Sequence, residues 1–186
     1  MKNRIGFVFL PLSRDGYLAT EEDEGVETLY QFSEADQDDG GFMKFVSSCQ
    51  AMVMGRKTFD HVAGMEGSPW PYGDTPVYVV TSQSQDMIDI PQHLRGYNIH
   101  VRQISDKFTL LNLMEYIKTT HGATKVYVDG ARTVMECVRQ DLIQEMTLTE
   151  IPVTHGSDGI PFLDQRDYER FSLKNQKTFP KSVSLT

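Results

Sequence analysis

Three short segments of the sequence combine glycine, hydroxyl and basic residues in a way that suits phosphate binding. The first is Gly55-Arg56-Lys57-Thr58, where a glycine precedes two cations and a hydroxyl at a predicted helix start. Glycine lets the backbone approach a ligand, and the amides and cations of such a helix start attract phosphate. Taken alone, the segment also fits an ordinary glycine turn followed by solvated basic residues.

The second segment consists of two hydroxyl residues, Thr81 and Ser82, that directly follow an apolar run. They could contact a ligand, but serine and threonine also favour helix caps and turns. Both interpretations stay open for this pair.

The third segment is a small-residue turn between an apolar run and an amphipathic pattern. It consists of Asp129, Gly130, Ala131, Arg132 and Thr133. Pyrophosphate binds where such a turn meets a helix N-terminus, although a lone glycine is a weak signal. The agreement of the three segments matters more than any one of them, because open α/β sheets bind ligands at the carboxyl ends of their strands.

Hydropathy patterns predict the strands and helices that would position these segments. The predicted strands cover residues 5–10, 51–54, 77–81, 99–104, 125–128 and 145–153. The first predicted helix begins at residue 42 and ends near Ser48, the second begins at residue 110 and is closed by Gly122, and the third covers residues 133–140. Residues 171–178 and 182–185 are expected to form a closing antiparallel hairpin. The alternation predicts a single α/β domain over residues 1–186, with a mostly parallel central sheet.

Composition excludes several other classes of protein. The 186 residues are 39% hydrophobic and 24% charged, and no apolar run approaches the roughly 18 residues that span a bilayer. Cys49 and Cys137 have no CxxC partner, so a reducing cytoplasm is expected. A net charge of -8 argues against a nucleic-acid partner. The five histidines lack metal-ligand spacing, so no metal site is expected.

Four motifs resemble the dihydrofolate reductase-like family. They are SRDGYLA at residues 13–19, MGRKTF at 54–59, VYVDGARTV at 126–134 and LIQEMTLTEIPVTHGSDGIPF at 142–162. The riboflavin-biosynthesis reductase branch is the more similar, because it shares the strand, proline and glycine-rich turn seen at 151–162. The resemblance implies a three-layer α/β/α fold. It also implies NADPH-dependent hydride transfer to a small heterocyclic or carbonyl substrate, similar to 5-amino-6-(5-phosphoribosylamino)uracil reductase.

The same resemblance implies roles for individual residues. Arg56 and Lys57 would lie near the adenosine 2′-phosphate, Thr58 near the nicotinamide, and the turn at 130–133 under the pyrophosphate. The loop at 13–19 would close over the nicotinamide. The predicted cofactor-binding residues are Ala19, Gly55, Arg56, Lys57, Thr58, Thr81, Ser82, Asp129, Gly130, Ala131, Arg132 and Thr133.

Two features depart from the family pattern. Ala131 replaces the second glycine of a Gly-Gly pair that contains a non-proline cis peptide in the family, and its Cβ could crowd a pyrophosphate. The stretch 21–39 is rich in carboxylates and would repel an anionic substrate.

Hydride transfer to C=N or C=O also needs a proton source. Asp39 is the predicted catalytic acid, since it precedes Gly55 by 16 positions, as the active-site acid of folate reductases precedes their corresponding glycine. Asp39 also fits a helix cap, and Asp15 is a weaker alternative that fits a turn better. Trp70 and Tyr72 could line the pocket or pack in a surface loop.

These observations leave three functional hypotheses. The first is a stand-alone NADPH-dependent reductase of a small molecule, since the chain lacks the zinc signature of a deaminase partner domain. The second is dihydrofolate reductase activity, which would require Asp39 to face the pocket. The third is a non-catalytic nucleotide-binding protein on the same fold, which the departure at Ala131 favours. The family resemblance also implies a homodimer through the C-terminal strands, whose edge could pair with a second chain.

Overall fold

A mostly parallel six-stranded sheet forms the centre of the structure, a computed structural model. The structure describes residues 4–18, 41–65, 69–84, 88–151, 154 and 160–175. The chain divides into two compact units, Met1–Phe9 with Lys44–Met146 and Leu10–Met43 with Thr147–Thr186. The single domain expected over residues 1–186 stays a prediction. None of the helices in the described ranges has both the length and the apolar character needed to cross a membrane.

Strands and helices alternate along most of the chain. The strands are β1 (Gly6–Ser13), β2 (Tyr17–Leu18), β3 (Ala51–Gly55), β4 (Val77–Thr81), β5 (Ile99–Gln103), β6 (Val126–Asp129), β7 (Ile143–Ile151) and β8 (Ile160–Pro161). The helices are α1 (Phe42–Ser47), α2 (Arg56–Ala63), α3 (Leu110–His121), α4 (Ala131–Arg139) and α5 (Gln165–Tyr168), with a 3₁₀ turn at Gln92–Leu94.

The order of the central sheet is β5-β4-β3-β6-β1-β7. The four pairings from β5 through β1 are parallel. A separate two-stranded sheet pairs β2 with β8 in antiparallel fashion. The predicted α/β fold class, with a mostly parallel central sheet, is therefore confirmed.

The central strands are unbroken apolar runs because both of their faces are covered. Residues 51–54 of β3 are fully buried, and so are Val77 and Val79 of β4. A parallel strand covered on both faces shows such a run instead of an apolar and polar alternation. This is why the positions of these strands could be predicted from hydropathy.

Helix α3 has clear start and stop signals in the sequence. The hydroxyl of Thr109 accepts a hydrogen bond from the Asn112 amide at 3.3 Å, and the Asn112 side chain accepts one from the Thr109 amide at 3.0 Å. Gly122 ends the helix in the left-handed conformation, with φ of 61°, as predicted. Between these ends, Leu110, Leu113, Met114 and Ile117 are buried beneath the helix.

Several boundaries differ from those predicted. Strand β1 continues to Ser13 instead of ending at residue 10, α4 begins at Ala131 instead of 133, and β7 begins at Ile143 instead of 145. Apolar periodicity marks only the residues that face the core, whereas backbone hydrogen bonds decide where an element ends. Helix α5 was not predicted, because its four residues include no buried side chain.

The prediction of a closing hairpin is wrong for the part of that segment that the structure describes. Residues 171–175 form no strand, and Leu173 is 82% exposed. Aromatic and β-branched residues favour a strand only where a partner strand and a buried face exist, and this segment has no buried face. The remaining residues of the predicted hairpin lie outside the described ranges. The antiparallel pair is instead β2 with β8.

Candidate functional site

The three predicted ligand segments follow three adjacent strands. Strand β3 lies between β4 and β6, and both pairings are parallel. Met54 of β3 is opposite Asp129 of β6, and Gly55 is opposite Val80 of β4. The carboxyl ends of these strands therefore meet at one edge of the sheet. We call the segments that follow them, Gly55–Thr58, Thr81–Gln83 and Asp129–Thr133, the carboxyl edge.

The two glycine turns of the carboxyl edge pack directly against each other. A Cβ built on Gly130 would lie 2.4 Å from Thr58 Oγ1 and 3.8 Å from the Gly55 amide nitrogen. A Cβ built on Gly55 would lie 2.9 Å from Thr133 Oγ1. Each turn therefore needs glycine to accommodate the threonine hydroxyl of the other turn.

Both turns lead into helices whose first amides are not capped by side chains of the described residues. Gly55 is the N-cap of α2 and Gly130 is the N-cap of α4, and neither helix start has a side-chain cap hydrogen bond. The first amides of a helix have no partner within the helix and carry partial positive charge. Two such ends side by side favour an anion at the carboxyl edge.

Arg56 joins the end of β3 to the turn after β4. Its Nε donates to Asp60 Oδ2 at 2.8 Å, and its Nη1 donates to Gln83 Oε1 at 3.3 Å. The neighbouring Lys57 is exposed, and no described residue pairs with it. At the end of β3, Arg56 is thus held by its neighbours, whereas Lys57 extends into solvent.

The two hydroxyl residues after β4 differ in exposure and in their hydrogen bonds. Thr81 is 8% exposed, and its hydroxyl accepts a hydrogen bond from the Gln83 amide at 3.0 Å, as the turn interpretation predicts. Ser82 is exposed, and its carbonyl oxygen accepts from Gln103 Nε2 at 3.4 Å. The Ser82 side chain is therefore the more accessible of the two hydroxyls.

Asp129 is a half-buried carboxyl at the end of β6. Burial raises its pKa above the ordinary value, while hydrogen bonds from the Gly130 amide and the Tyr127 hydroxyl act in the opposite direction. The Gly130 amide nitrogen is 2.7 Å from Asp129 Oδ1. The carboxyl edge therefore contains an acid that keeps its proton to higher pH than an exposed aspartate does.

The α4 side of the site differs in one respect from what the family resemblance implies. All peptide bonds of the described residues are trans, so no cis peptide joins Gly130 to Ala131. Gly130 has φ of 87°, and Ala131 is half-buried as the first residue of α4. Thr133 is 7% exposed, whereas Arg132 is exposed.

Other candidate residues lie apart from this arrangement or outside the description. Ala19 and Asp39 are outside the described residues, so their predicted roles stay predictions. The Ser13 hydroxyl donates to Asp15 at 2.5 Å, which places Asp15 in the turn before β2. Trp70 is buried and packs edge-on against Phe59 and Tyr72, as the packing interpretation predicts.

Sequence reasoning missed two residues that hold Arg56. Asp60 follows Arg56 by four positions on one helix, and this spacing could have identified it. Gln83 is distant in sequence and has no comparable local signal, because it meets Arg56 only through the pairing of β3 with β4. The described residues contain no group of three or more histidine, cysteine or acidic side chains arranged to hold a metal ion.

Comparison with known proteins gives matches over most of the chain. The chain is 28% identical to the uncharacterized protein YwjB of Bacillus subtilis strain 168, over 96% of this chain and 94% of YwjB. A crystal structure of a Shewanella sp. PV-4 protein, provisionally named a riboflavin biosynthesis protein, has a TM-score of 0.70 and 27% identity. The match covers 87% of this chain and 84% of that one.

A dihydrofolate reductase has the same fold. The enzyme from Enterococcus faecalis, solved in complex with NADP(H), has a TM-score of 0.52 and 17% identity over 89% of this chain and 80% of its own. The family model for the RibD C-terminal domain matches residues 6–185. Because this match covers nearly the whole sequence, the chain belongs to the RibD C-terminal domain family.

Proposed function

We propose that this protein is an NADPH-dependent reductase that transfers hydride to a small heterocyclic or carbonyl substrate. The observation that carries the proposal is the contact between two glycine turns, each of which leads into a helix start without a side-chain cap. A dinucleotide has a pyrophosphate that suits two adjacent helix N-termini. Membership of the RibD C-terminal domain family supports a reductase-type function.

The residues around the two turns suit the other parts of such a cofactor. Arg56 and Lys57 supply positive charge beside the end of β3, and Ser82 supplies an accessible hydroxyl after β4. Arginine and lysine stabilise phosphate through charge-assisted hydrogen bonds. The nicotinamide would supply the hydride, while the protein binds the cofactor, orients it and supplies a proton.

Asp129 is a candidate proton source at the same edge. Its carboxyl is half-buried, and burial raises its pKa, so it holds a proton at higher pH than an exposed aspartate. A positioned acid typically contributes about 10²–10⁴-fold to the rate of a step that needs a proton. Asp39 stays the alternative acid. Dihydrofolate reductase activity would require Asp39 to face the substrate pocket.

The proposal is tested by titrating the purified protein with NADPH and NADH while following nicotinamide fluorescence and melting temperature. We expect micromolar binding of NADPH. At about 100 times its dissociation constant, a ligand stabilises the fold by about 2.7 kcal/mol, which raises the melting temperature by roughly 5–10 °C. The double variant Arg56→Ala/Lys57→Ala should weaken NADPH binding about tenfold or more.

A matched control removes the same charge elsewhere. The double variant Lys118→Ala/Arg139→Ala changes residues in the last turns of α3 and α4. Arg139 lies at the opposite end of α4 from the carboxyl edge, so NADPH affinity should change by less than about twofold. If neither dinucleotide binds at millimolar concentration, the reductase proposal is wrong.

A non-catalytic nucleotide-binding protein is the second candidate, and one observation favours it. The space beside Gly130 is filled by Thr58, so the glycine there accommodates a neighbouring side chain and not a ligand. Dinucleotide binding without oxidation of NADPH across a panel of dihydrofolate, pyrimidine and carbonyl substrates would favour this function. Oxidation of NADPH that depends on one of these substrates would exclude it.

A further inference from the structure

The Arg56 guanidinium is held by two side chains, the carboxylate of Asp60 and the side-chain amide of Gln83. Its Nε donates to Asp60 at 2.8 Å, and its Nη1 donates to Gln83 at 3.3 Å. These bonds engage two of the five N–H donors of a guanidinium. No other described residue engages the remaining donors, and Asp60 and Gln83 set the orientation of the side chain.

The two neighbours differ in their effect on charge. Asp60 is an anion one helical turn from Arg56, and the two side chains are 47% and 40% exposed. A carboxylate at this distance offsets much of the field that the guanidinium presents to an approaching anion. Gln83 holds the guanidinium without adding charge, and its backbone N–H donates to the Thr81 hydroxyl at 3.0 Å.

Lys57 makes the arrangement asymmetric. It is exposed beside Arg56, and within the described part of the chain it has no ion-pair or hydrogen-bond partner. A ligand phosphate at this position would meet one full positive charge from Lys57 and one that Asp60 partly cancels. A ligand with a hydroxyl in place of that phosphate would be much less sensitive to either charge.

We propose that Asp60 and Gln83 determine how strongly the carboxyl edge discriminates between a phosphorylated and an unphosphorylated dinucleotide. Asp60 lowers the preference for NADPH over NADH by repelling the additional phosphate, and Gln83 keeps Arg56 oriented at no electrostatic cost. This inference rests on the proposed function, because it concerns the selectivity of the same site.

The test compares the dissociation constants of NADPH and NADH for three variants. Asp60→Asn removes the negative charge and keeps an oxygen that can accept from Arg56 Nε. We expect it to tighten NADPH binding about fivefold and to change NADH binding by less than twofold. Gln83→Glu adds a second carboxylate next to Arg56, so it should weaken NADPH binding by a similar factor.

Glu136→Gln is the matched control for loss of one negative charge. Glu136 pairs with Arg139 within α4 at 3.6 Å and has no part in holding Arg56. This variant should leave the ratio of the two dissociation constants within about twofold. An equal effect of Glu136→Gln and Asp60→Asn would overturn the inference, since net charge alone would then explain the change.

Two further measurements separate charge from orientation. Binding of adenosine 2′,5′-bisphosphate and of 5′-AMP isolates the additional phosphate, and the effect of Asp60→Asn should appear only with the bisphosphate. The effect should also shrink as the salt concentration rises from about 0.05 to about 0.5 M, because salt screens interactions between exposed charges. An effect of Asp60→Ala that Asp60→Asn does not reproduce would mean that Asp60 only positions Arg56, and the inference would be wrong.

Different binding results would contradict the proposed function and the role of Asp60 in selectivity. If the wild-type protein and all variants bind neither dinucleotide, the proposed function is wrong, and the inference is wrong with it. If both dinucleotides bind but Asp60→Asn leaves their ratio unchanged, only the inference is overturned.

Discussion

Gly55 and Gly130 are glycine for different physical reasons. Gly55 has φ of -71°, which any residue adopts, so among the described residues only the nearby Thr133 hydroxyl restricts it. Gly130 has φ of 87° and ψ of 129°, a conformation that residues with a Cβ rarely adopt, and Thr58 also occupies the space beside it. Gly130 is therefore the more constrained of the two.

Replacing Gly130 with alanine should destabilise the protein by about 2–4 kcal/mol. Backbone strain contributes roughly 1–3 kcal/mol, and the clash with Thr58 adds an overpacking cost. Urea unfolding followed by circular dichroism measures the change. Gly122→Ala is the control, because Gly122 has φ of 61° and no atom of a described residue lies within 4 Å of a built Cβ, so it should cost only about 1–2 kcal/mol.

Relief of the clash gives an independent check on Gly130. In the double variant Gly130→Ala/Thr58→Ala, the hydroxyl that a Cβ would meet is absent. Residues in contact couple by about 0.5–3 kcal/mol, so the double variant should be more stable than the sum of the single changes predicts. Strict additivity would contradict the contact.

Asp129 should make the stability of the protein depend on pH in a defined direction. Burial raises the pKa of the folded state above the ordinary value of 3.8, so the folded state binds the proton more tightly than the unfolded state. The stabilisation from this proton is complete below the unfolded pKa and is lost as pH rises through the folded pKa. As pH rises above the unfolded pKa, the burial of Asp129 therefore lowers the free energy of unfolding.

Asp129→Asn removes this dependence while keeping hydrogen-bonding atoms for the Gly130 amide and the Tyr127 hydroxyl. The variant should melt at a higher temperature than the wild type at pH 7, and the difference should shrink as pH falls towards about 4. Melting curves between pH 4 and 8 measure it. The same difference at every pH would mean that Asp129 does not titrate in this way.

At the scale of secondary structure, the ends of α3 are determined by local chemistry. The Thr109 hydroxyl and the Asn112 side chain bond each other's backbone amides at the start of α3. Removing such an N-cap costs about 1 kcal/mol. Thr109→Ala should therefore lower the free energy of unfolding by about that amount, as measured in urea.

Thr119→Ala is the control for the cap. Thr119 lies on the exposed face of α3, and its hydroxyl donates to the Glu115 carbonyl within the helix at 2.9 Å. Exposed substitutions away from caps usually change stability by less than about 0.5 kcal/mol. Equal effects at the two positions would contradict the assignment of Thr109 as the cap.

The outer strand β7 leads to a prediction about the whole molecule. It contains nine residues and lies beside β1, and no described strand lies beyond it. An exposed strand edge presents backbone groups that can pair with another chain. We expect a homodimer with a mass about twice the 21.2 kDa of one chain.

Light scattering coupled to size-exclusion chromatography measures this mass over a range of protein concentrations. Leu148→Lys would place a charge on β7, whose residue 148 is half-buried in the single chain. If β7 forms the interface, this variant should shift the protein towards monomer. A wild-type mass of 21.2 kDa at every concentration would contradict the prediction.

The sequence alone determined the alternation of elements and the chemistry available at the strand ends. Buried strands such as β3 and β4 could be predicted because covered faces require continuous apolar runs, and Gly122 could be predicted because a helix end favours its conformation. Gly55, Arg56 and the turn from Asp129 to Thr133 could be proposed as phosphate-binding candidates because their residue types suit phosphate. These signals are local, so neighbouring residues are enough to detect them.

Tertiary structure alone decided which of these segments meet and what occupies the space between them. The parallel pairing of β3 with β4 and β6 brings Gln83 to Arg56 and Thr58 to Gly130, although each pair is far apart in sequence. It also buries Asp129, which changes its proton affinity. Burial and contact depend on how distant strands pack, and a pattern of neighbouring residues does not contain that information.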